Sequence, residues 1–416
     1  MLIEYKVTNY RSIKAPQILS LVATKDNSLK DTNCMASGIP AIPQLLRSAV
    51  LYGPNASGKS NVISSLESMR TLIVSPIVEG QALPIVPFRL DPETSAQPSE
   101  FEITFMDNNI RYQYGYSVDS QRILGEWLFV YIGRKAQCWF EREYDKKTQK
   151  DKWHLGTHLV GGMQRKLWAE STRTNALFLS TAVNLNSEQL RPIFNWFLNK
   201  LVIVGGNSQP LPFYTMECVK DKNKKPQIIQ FLQAADLGIT DVEIKTQKGQ
   251  QLQMRLESGK TTFNGQTVDI PMAELFHQGK NNIPIGFQLS DESSGARRIF
   301  AYAGPMLDVL KDGKVLVIDE LDSGLHVKMV RFLINLIQNT DLNKNNAQLI
   351  FTTHNTSILD IELLRRDQIW FIEKDTDQAS NLYSLTNFSP RKEEALEKGY
   401  LQGRYGALPI FSDLNL

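Results

Sequence analysis

Gly53-Pro-Asn55-Ala-Ser-Gly58-Lys59-Ser60 is the stretch on which the reading of this chain turns. It has the spacing G-x-x-x-x-G-K-[ST]. The glycines permit backbone turns that aim successive N–H groups inward at phosphate oxygens. Just before it, Ala49-Val-Leu-Tyr52 is an apolar run of strand type. Just after it, apolar residues at Val62, Ile63, Leu66, Met69 and Ile73 fall at helical spacing. The order strand, turn, helix places a positive helix N-terminus against whatever the turn holds. Lys59 would then reach the β- and γ-phosphates of a nucleotide, and the Ser60 hydroxyl would ligate Mg²⁺.

A phosphate cradle needs an acid for its metal. Val315-Leu-Val-Ile-Asp319-Glu320 supplies one, because four apolar residues in a row read as a strand buried on both faces with the acids at its carboxyl edge. Asp319 is the metal candidate and Glu320 the general base for the attacking water. The two motifs stand 319 − 59 = 260 residues apart, and no N-K-x-D element for guanine is present. Between them, Ser293-Ser294-Gly295 opens a helix; such a turn is either an ordinary cap or a second anion site. Asp322 follows the acid pair, and Thr352-Thr353-His354 ends the next strand, where an imidazole can touch a γ-phosphate.

The composition is compatible with such a protein. The chain has 416 residues, 42% hydrophobic and 22% charged, which excludes a mostly disordered polypeptide. Lys plus Arg less Asp plus Glu is 46 − 44 = +2, so no whole-surface attraction to nucleic acid or anionic lipid is expected. Cys34, Cys138 and Cys218 are scattered and never in C-x-x-C spacing, which argues against a disulfide framework or a zinc knuckle. Met1 to Lys14 alternates and carries charges, unlike a signal peptide, and no apolar run approaches the ~18 residues of a membrane span. A cytoplasmic protein without membrane partners is the expectation.

Further along, Leu2 to Val7 reads as a half-buried strand, and Glu100 to Arg142 as a series of antiparallel strands turning at Asn108-Asn109. Met163 to Leu201 turns helical. Gly205 to Gln209 and Lys220 to Pro226 read as polar linkers, Ile228 to Leu237 as a helix, and Asp241 to Leu256 as strands. Ile299 to Leu310 has helical spacing with a kink expected at Gly304-Pro305. Val330 to Ile337 is a further helix. Asp375-Thr-Asp377 is either a D-x-D metal pair or, as the flanking strand-like runs favour, a hairpin turn.

Together these motifs resemble the ABC-type ATPase heads of the SMC, RecF and overcoming-lysogenization-defect proteins. Ile3 to Ser12 is similar to the first strand of that group. Asn61 after the P-loop, Glu320-Leu-Asp-Ser-Gly-Leu-His326, and the tail Gly403-Arg-Tyr-Gly-Ala-Leu-Pro409 look like the bacterial abortive-infection ATPases of the RloA, AbiL and PARIS AriA kind, and more distantly Septu PtuA. The resemblance implies an α/β fold of the P-loop ABC-head type, with an antiparallel β subdomain and a helical insertion between the phosphate loop and the acidic strand. Its expected division is 1–160, 161–240 and 241–416.

The resemblance also implies ATP and Mg²⁺ as ligands and a homodimer or higher homo-oligomer. Nucleotide on Gly53, Asn55, Gly58, Lys59, Ser60 and Asn61 of one subunit would be capped by Ser293 and Gly295 of the other. Asp322 would lie at the seam, His354 at the γ-phosphate, and Arg11 near the phosphates. Ser294 and Ala296 depart from the usual Ser-Gly-Gly-Gln signature, and Gln97 is a candidate for the glutamine that helps hold Mg²⁺. A separate effector, a Toprim-type nuclease or other toxin, is the implied partner of a defence switch; nucleic acid is the partner in the alternative, a RecF- or SMC-like head in DNA repair. A degenerate, non-hydrolysing module is disfavoured by the intact Glu320.

Overall fold

The computed structural model describes residues 1–133, 135–205, 212–257, 260–388 and 395–409, with side chains outside 250–267. Most of the Gly205–Gln209 linker lies outside the described residues. The chain forms two compact units: Met1–Asn207, Leu310–Ser323 and Leu333–Leu416 in the first; Ser208–Val309 and Gly324–Phe332 in the second.

In the first unit, β1 (Leu2–Thr8) pairs with β2 (Gln17–Ser20), and β3 (Cys34–Ile39) with β4 (Ile42–Leu46). β5 (Ser48–Tyr52) runs into the glycine loop and α1 (Lys59–Val74). β6 (Ser99–Asp107), β7 (Ile110–Val118), β8 (Ile123–Ile132), β9 (Lys135–Asp145) and β10 (Lys150–Leu155) then join the first two strands in a seven-stranded antiparallel sheet, ordered β10-β9-β8-β7-β6-β1-β2. Alternation decides which face is inside: Tyr5, Val7, Phe101, Ile103, Tyr114 and Leu128 enter one core with Val62, Leu66 and Met69 of α1.

Short helices α2 (Gln164–Ser171), α3 (Phe178–Asn184) and α4 (Arg191–Asn195) complete that core, ahead of β11 (Leu201–Val204). Phe105 stacks on Trp196 with ring centroids 4.1 Å apart. Glu126 is fully buried, and its carboxylate accepts from Phe178 N (2.6 Å), Leu179 N (3.0 Å) and the Tyr114 hydroxyl (3.0 Å). It thereby serves the orphan N–H groups at the start of α3. These contacts place α2 to α4 in the first unit, whereas the expected 161–240 segment grouped them with the helices that follow.

The second unit begins with α5 (Phe213–Lys220) and α6 (Lys225–Ala234), and the Lys220–Pro226 segment read as a linker is the turn at 221–224 with the last residue of α5 and the first two of α6 on either side. Pro226 sits in the first turn of α6, where its missing N–H costs nothing. β12 (Ile239–Glu257) and β13 (Lys260–Gln278) form one long antiparallel hairpin, edged by β14 (Pro284–Gln288). α7 (Ser294–Asp312) follows as one helix with Pro305 inside it. The carbonyl that Pro305 cannot serve, on Ala301, accepts from the Thr215 hydroxyl (3.2 Å), and Thr215 Oγ1 in turn accepts from Gly304 N (3.1 Å).

The first unit resumes with β15 (Val315–Ile318); α8 (Val327–Gln338) begins in the second unit and ends in the first, and β16 (Gln348–Thr352), β17 (Ile369–Lys374), β18 (Ser380–Ser384) and α9 (Leu396–Leu401) follow. The second sheet has the order β11-β15-β16-β5-β17-β18, parallel except for the last pair. β5, β15 and β16 are buried end to end, each Val, Leu or Ile contributing about 1.5–3 kcal/mol. Because the three are parallel neighbours, the glycine loop, the acid pair and the histidine all emerge from one sheet edge. At the β17–β18 turn, Asp375 Oδ1 accepts from Asp377 N and Ala379 N, both at 2.9 Å; the D-x-D is a hairpin turn. Among the described residues no helix is long and apolar enough to cross a membrane.

Candidate active site

The loop between β5 and α1 holds two left-handed residues, Ala56 (φ 62°) and Gly58 (φ 114°). Gly58 is obligatory on two counts: its φ, and a β-carbon there would overlap Ser380 Oγ. The N–H groups of Gly58, Lys59 and Ser60 donate to no group among the described residues. Lys59 is buried, and its ammonium donates to the carbonyls of Gly53 (2.8 Å) and Pro54 (3.0 Å). Burial pushes its pKa down to about 8, against the pull of the Asp319, Glu320 and Asp322 carboxylates. Ser57 Oγ is buried with no partner. Free amides, an orphan hydroxyl and a desolvated ammonium make a site built for an anion. Asn55 and Ser60 are exposed on its rim.

Sequence reading missed what braces this loop. Asn61 Nδ2 donates to Ser12 Oγ (2.6 Å), Ser12 Oγ and Ser380 Oγ share a hydrogen bond (2.7 Å), and Ser380 Oγ donates to Ser57 O (2.5 Å). Each hydroxyl carries one hydrogen, and a carbonyl can only accept, so the hydrogens run in one direction from Asn61 to Ser57. Asn61 is thus engaged inside the protein. Arg11, the neighbour of Ser12, has a positive φ (51°), and its guanidinium lies over the Tyr10 ring at 5.3 Å. Gln97 lines a groove with Trp127 and Glu143, which none of the loop residues share; the structure does not bring it to the site.

At the end of β15, the Thr352 hydroxyl of β16 donates to Asp319 Oδ1 (2.6 Å) and accepts from Glu320 N (2.7 Å). Glu320 is exposed and holds φ 53°, a conformation costing a non-glycine residue about 1 kcal/mol. Nothing in the sequence singled out Thr352; in a buried strand it reads as one more β-branched residue. Asp322 Oδ2 accepts from His354 N (3.2 Å), whereas Asp322 Oδ1 is buried without a partner. Burial and the Lys59 charge push the His354 imidazole below its usual pKa, so it is neutral at pH 7.

Mg²⁺ suits this donor set. Among the described residues no three His, Cys, Asp or Glu side chains cluster as a metal cage. Mg²⁺ uses one or two protein oxygens and completes its shell with water and phosphate. Asp319 and Ser60 are the groups that would hold it, and bound there it would neutralise charge on the phosphates.

In the second unit, Ser293 Oγ accepts from Ala296 N (3.1 Å), and Ser293 O accepts from Arg297 N (3.0 Å); Ser293 is the N-cap of α7. Just upstream, the His277 imidazole bonds the Glu292 carboxylate at 2.6 Å. Gly295 lies in the first turn of α7, with the Gly324 carbonyl close by.

No curated protein matches the chain. Solved structures similar to it include the SMC head domain from Thermotoga maritima, at 13% identity over 92% of this chain and 98% of that one, with a TM-score of 0.41. The SMC head with an extended coiled coil from Pyrococcus furiosus, bound to the C-terminal domain of ScpA, matches at 12% identity over 92% and 96%, with a TM-score of 0.42. Likeness at this level locates no residue. From Ser48 to Asp360, well over half of the chain matches the family described as "AAA domain, putative AbiEii toxin, Type IV TA system", and the chain belongs to that family.

Proposed function

We propose that the protein binds and hydrolyses ATP, and that two copies close head to head around the nucleotide to act as the switch subunit of an anti-phage defence system. The observation carrying this reading is the row of unengaged amides at Gly58, Lys59 and Ser60, with the Lys59 ammonium in electrostatic reach of Asp319, Glu320 and Asp322. The amides and Lys59 bind and orient the β- and γ-phosphates. Glu320 takes a proton from the attacking water, and neutral His354 donates a hydrogen bond to the γ-phosphate.

Asp322 Oδ1 is a buried carboxylate oxygen without a partner, at a cost of about 1–3 kcal/mol in the single copy, and a rearrangement of this turn when two copies close would give it one. The Ser293 turn caps its own helix and leaves the α7 N-terminus available to a phosphate on the partner. ATP shifts the population toward the closed dimer by its differential affinity for it. The closed state then holds or releases a separate effector, a nuclease or other toxin, and Glu320-dependent hydrolysis resets it.

Glu320→Gln tests both halves. With ATP the variant should sediment as a dimer while phosphate release falls by at least about 100-fold. Wild-type turnover in the variant removes Glu320 from the role of base, and a monomer at saturating ATP removes the head-to-head closure. A RecF-like role in DNA repair is the alternative. Tight duplex binding by the purified protein alone, weakening steeply with salt, would replace the defence reading with that one.

A further inference from the structure

The seven-stranded sheet has a second face, turned to solvent, and it is not a plain polar one. On β8, Glu126, Leu128 and Val130 point into the core, whereas Trp127, Phe129 and Tyr131 stand half-exposed on the other side. Three aromatic rings in file on a solvated face are more than the usual polar complement of an antiparallel sheet.

The rings are held in place. Trp127 Nε1 donates to Glu102 Oε2 (2.7 Å), and the indole lies across Gly115, where any β-carbon would overlap it. The Tyr131 hydroxyl donates to Gln113 Oε1 (2.7 Å), and the Arg111 guanidinium stacks 3.5 Å over the Tyr131 ring. Rings fixed before binding lose little entropy on binding.

Charge decides what they fit. The row across the sheet through Trp127 reads Lys6, Glu102, Gly115, Trp127, Glu141, His154, and the next row carries Glu100 and Glu143. Lys6 is taken by Glu100 (3.5 Å) and Lys152 by Asp145 (2.9 Å). Glu102, Glu141 and Glu143 make no ion pair among the described residues. The Glu4 carboxyl on the same face is raised in pKa by burial and then by the charge of Glu102, against the pull of Lys6. Trp127, Glu141 and Glu143 line a groove of about 590 Å³ together with Lys146, His154 and two cations already taken by aspartates, Arg142 by Asp151 and Lys152 by Asp145.

A file of aromatic rings can also stack nucleic-acid bases, but the phosphates would then lie among unpaired carboxylates. An ammonium or guanidinium gains on both counts, from the carboxylates and from the indole face. We propose that this open sheet face, centred on Trp127 and bordered by Glu102, Glu141 and Glu143, is a docking surface for a lysine- or arginine-bearing segment of a partner protein. It does not depend on the nucleotide site or on dimer closure.

The test titrates the full chain, by calorimetry at physiological salt, with three probes: a synthetic peptide alternating valine and arginine, the same peptide with glutamate for arginine, and oligothymidylate. The arginine peptide should bind and the other two should not. Glu141→Lys with Glu143→Lys should weaken it by about tenfold while ATP binding is unchanged. Both side chains are exposed, so the fold tolerates the exchange. Trp127→Phe, which keeps a ring but loses the bond to Glu102, should weaken it as well. Equal binding of the glutamate peptide, or unchanged affinity in the charge-reversed variant, overturns the proposal. Oligothymidylate binding that strengthens on charge reversal overturns it in favour of a nucleic-acid platform.

Discussion

Replacing Thr352 by Val isolates a residue that touches neither nucleotide nor water in the proposed reaction yet positions two groups that do. Thr352 Oγ1 donates to Asp319 Oδ1 at 2.6 Å and accepts from Glu320 N at 2.7 Å, in a strand buried throughout. Valine keeps the shape and removes both bonds. Loss of a hydrogen bond to a charged carboxylate costs about 1.5–3 kcal/mol, and an unserved buried N–H costs a similar amount. Part of this appears as lower stability. The part that depends on orientation appears in kcat, because Glu320 is held at φ 53° and relaxes once its N–H is released. Taking about 2 kcal/mol for that part gives a ~30-fold fall in kcat. The assay is phosphate release across a Mg²⁺ series, with nucleotide affinity measured separately on a fluorescent analogue. The expected result is a lower kcat and a higher Mg²⁺ requirement at nearly unchanged nucleotide affinity, recovered in large part by Thr352→Ser. A valine variant with wild-type kcat, or a serine variant no better than valine, refutes the positioning role.

Lys59→Ala should abolish ATP binding, seen as loss of the calorimetric signal; retained tight binding would refute the assignment of the loop. The lowered Lys59 pKa of about 8 gives two pH effects of known sign. Phosphate binds the charged amine, so binding takes up a proton near pH 8 and weakens as pH rises past it, measurable as a dependence of calorimetric enthalpy on buffer ionisation. In the nucleotide-free protein the unfolded lysine holds its proton up to about 10.5 and the folded one does not, so this residue's contribution makes stability rise between those two values. Ser380→Ala breaks the brace under the loop; it should lower the melting temperature by about 1 °C, for about 1 kcal/mol, and weaken ATP binding, whereas an exposed serine control away from the site, Ser120→Ala, should leave binding unchanged.

What the sequence disclosed and what it hid follow one physical division. The glycine loop was legible because its chemistry is local: the residues that turn the backbone and those that meet phosphate lie within eight positions. The acid pair was legible because four buried apolar residues announce a central strand and fix where its end must be. The brace was not, because Ser12 and Ser380 are 368 residues apart and neither stands in a pattern. Thr352 was hidden by its own suitability for a strand. Pro305 announces an unserved carbonyl, but nothing near it says that Thr215, far away in the chain, will serve it. The same holds for Asp322 in the opposite sense. Its motif was readable, yet the unserved Oδ1 was not, because burial without a partner is set by what the fold brings around the side chain. The phosphate-loop groups are therefore local in sequence, while those that hold the loop and the acid pair in place are distributed over the fold. A variant that spares every motif residue can still disable the site, and Thr352 and Ser380 are where this structure places that vulnerability.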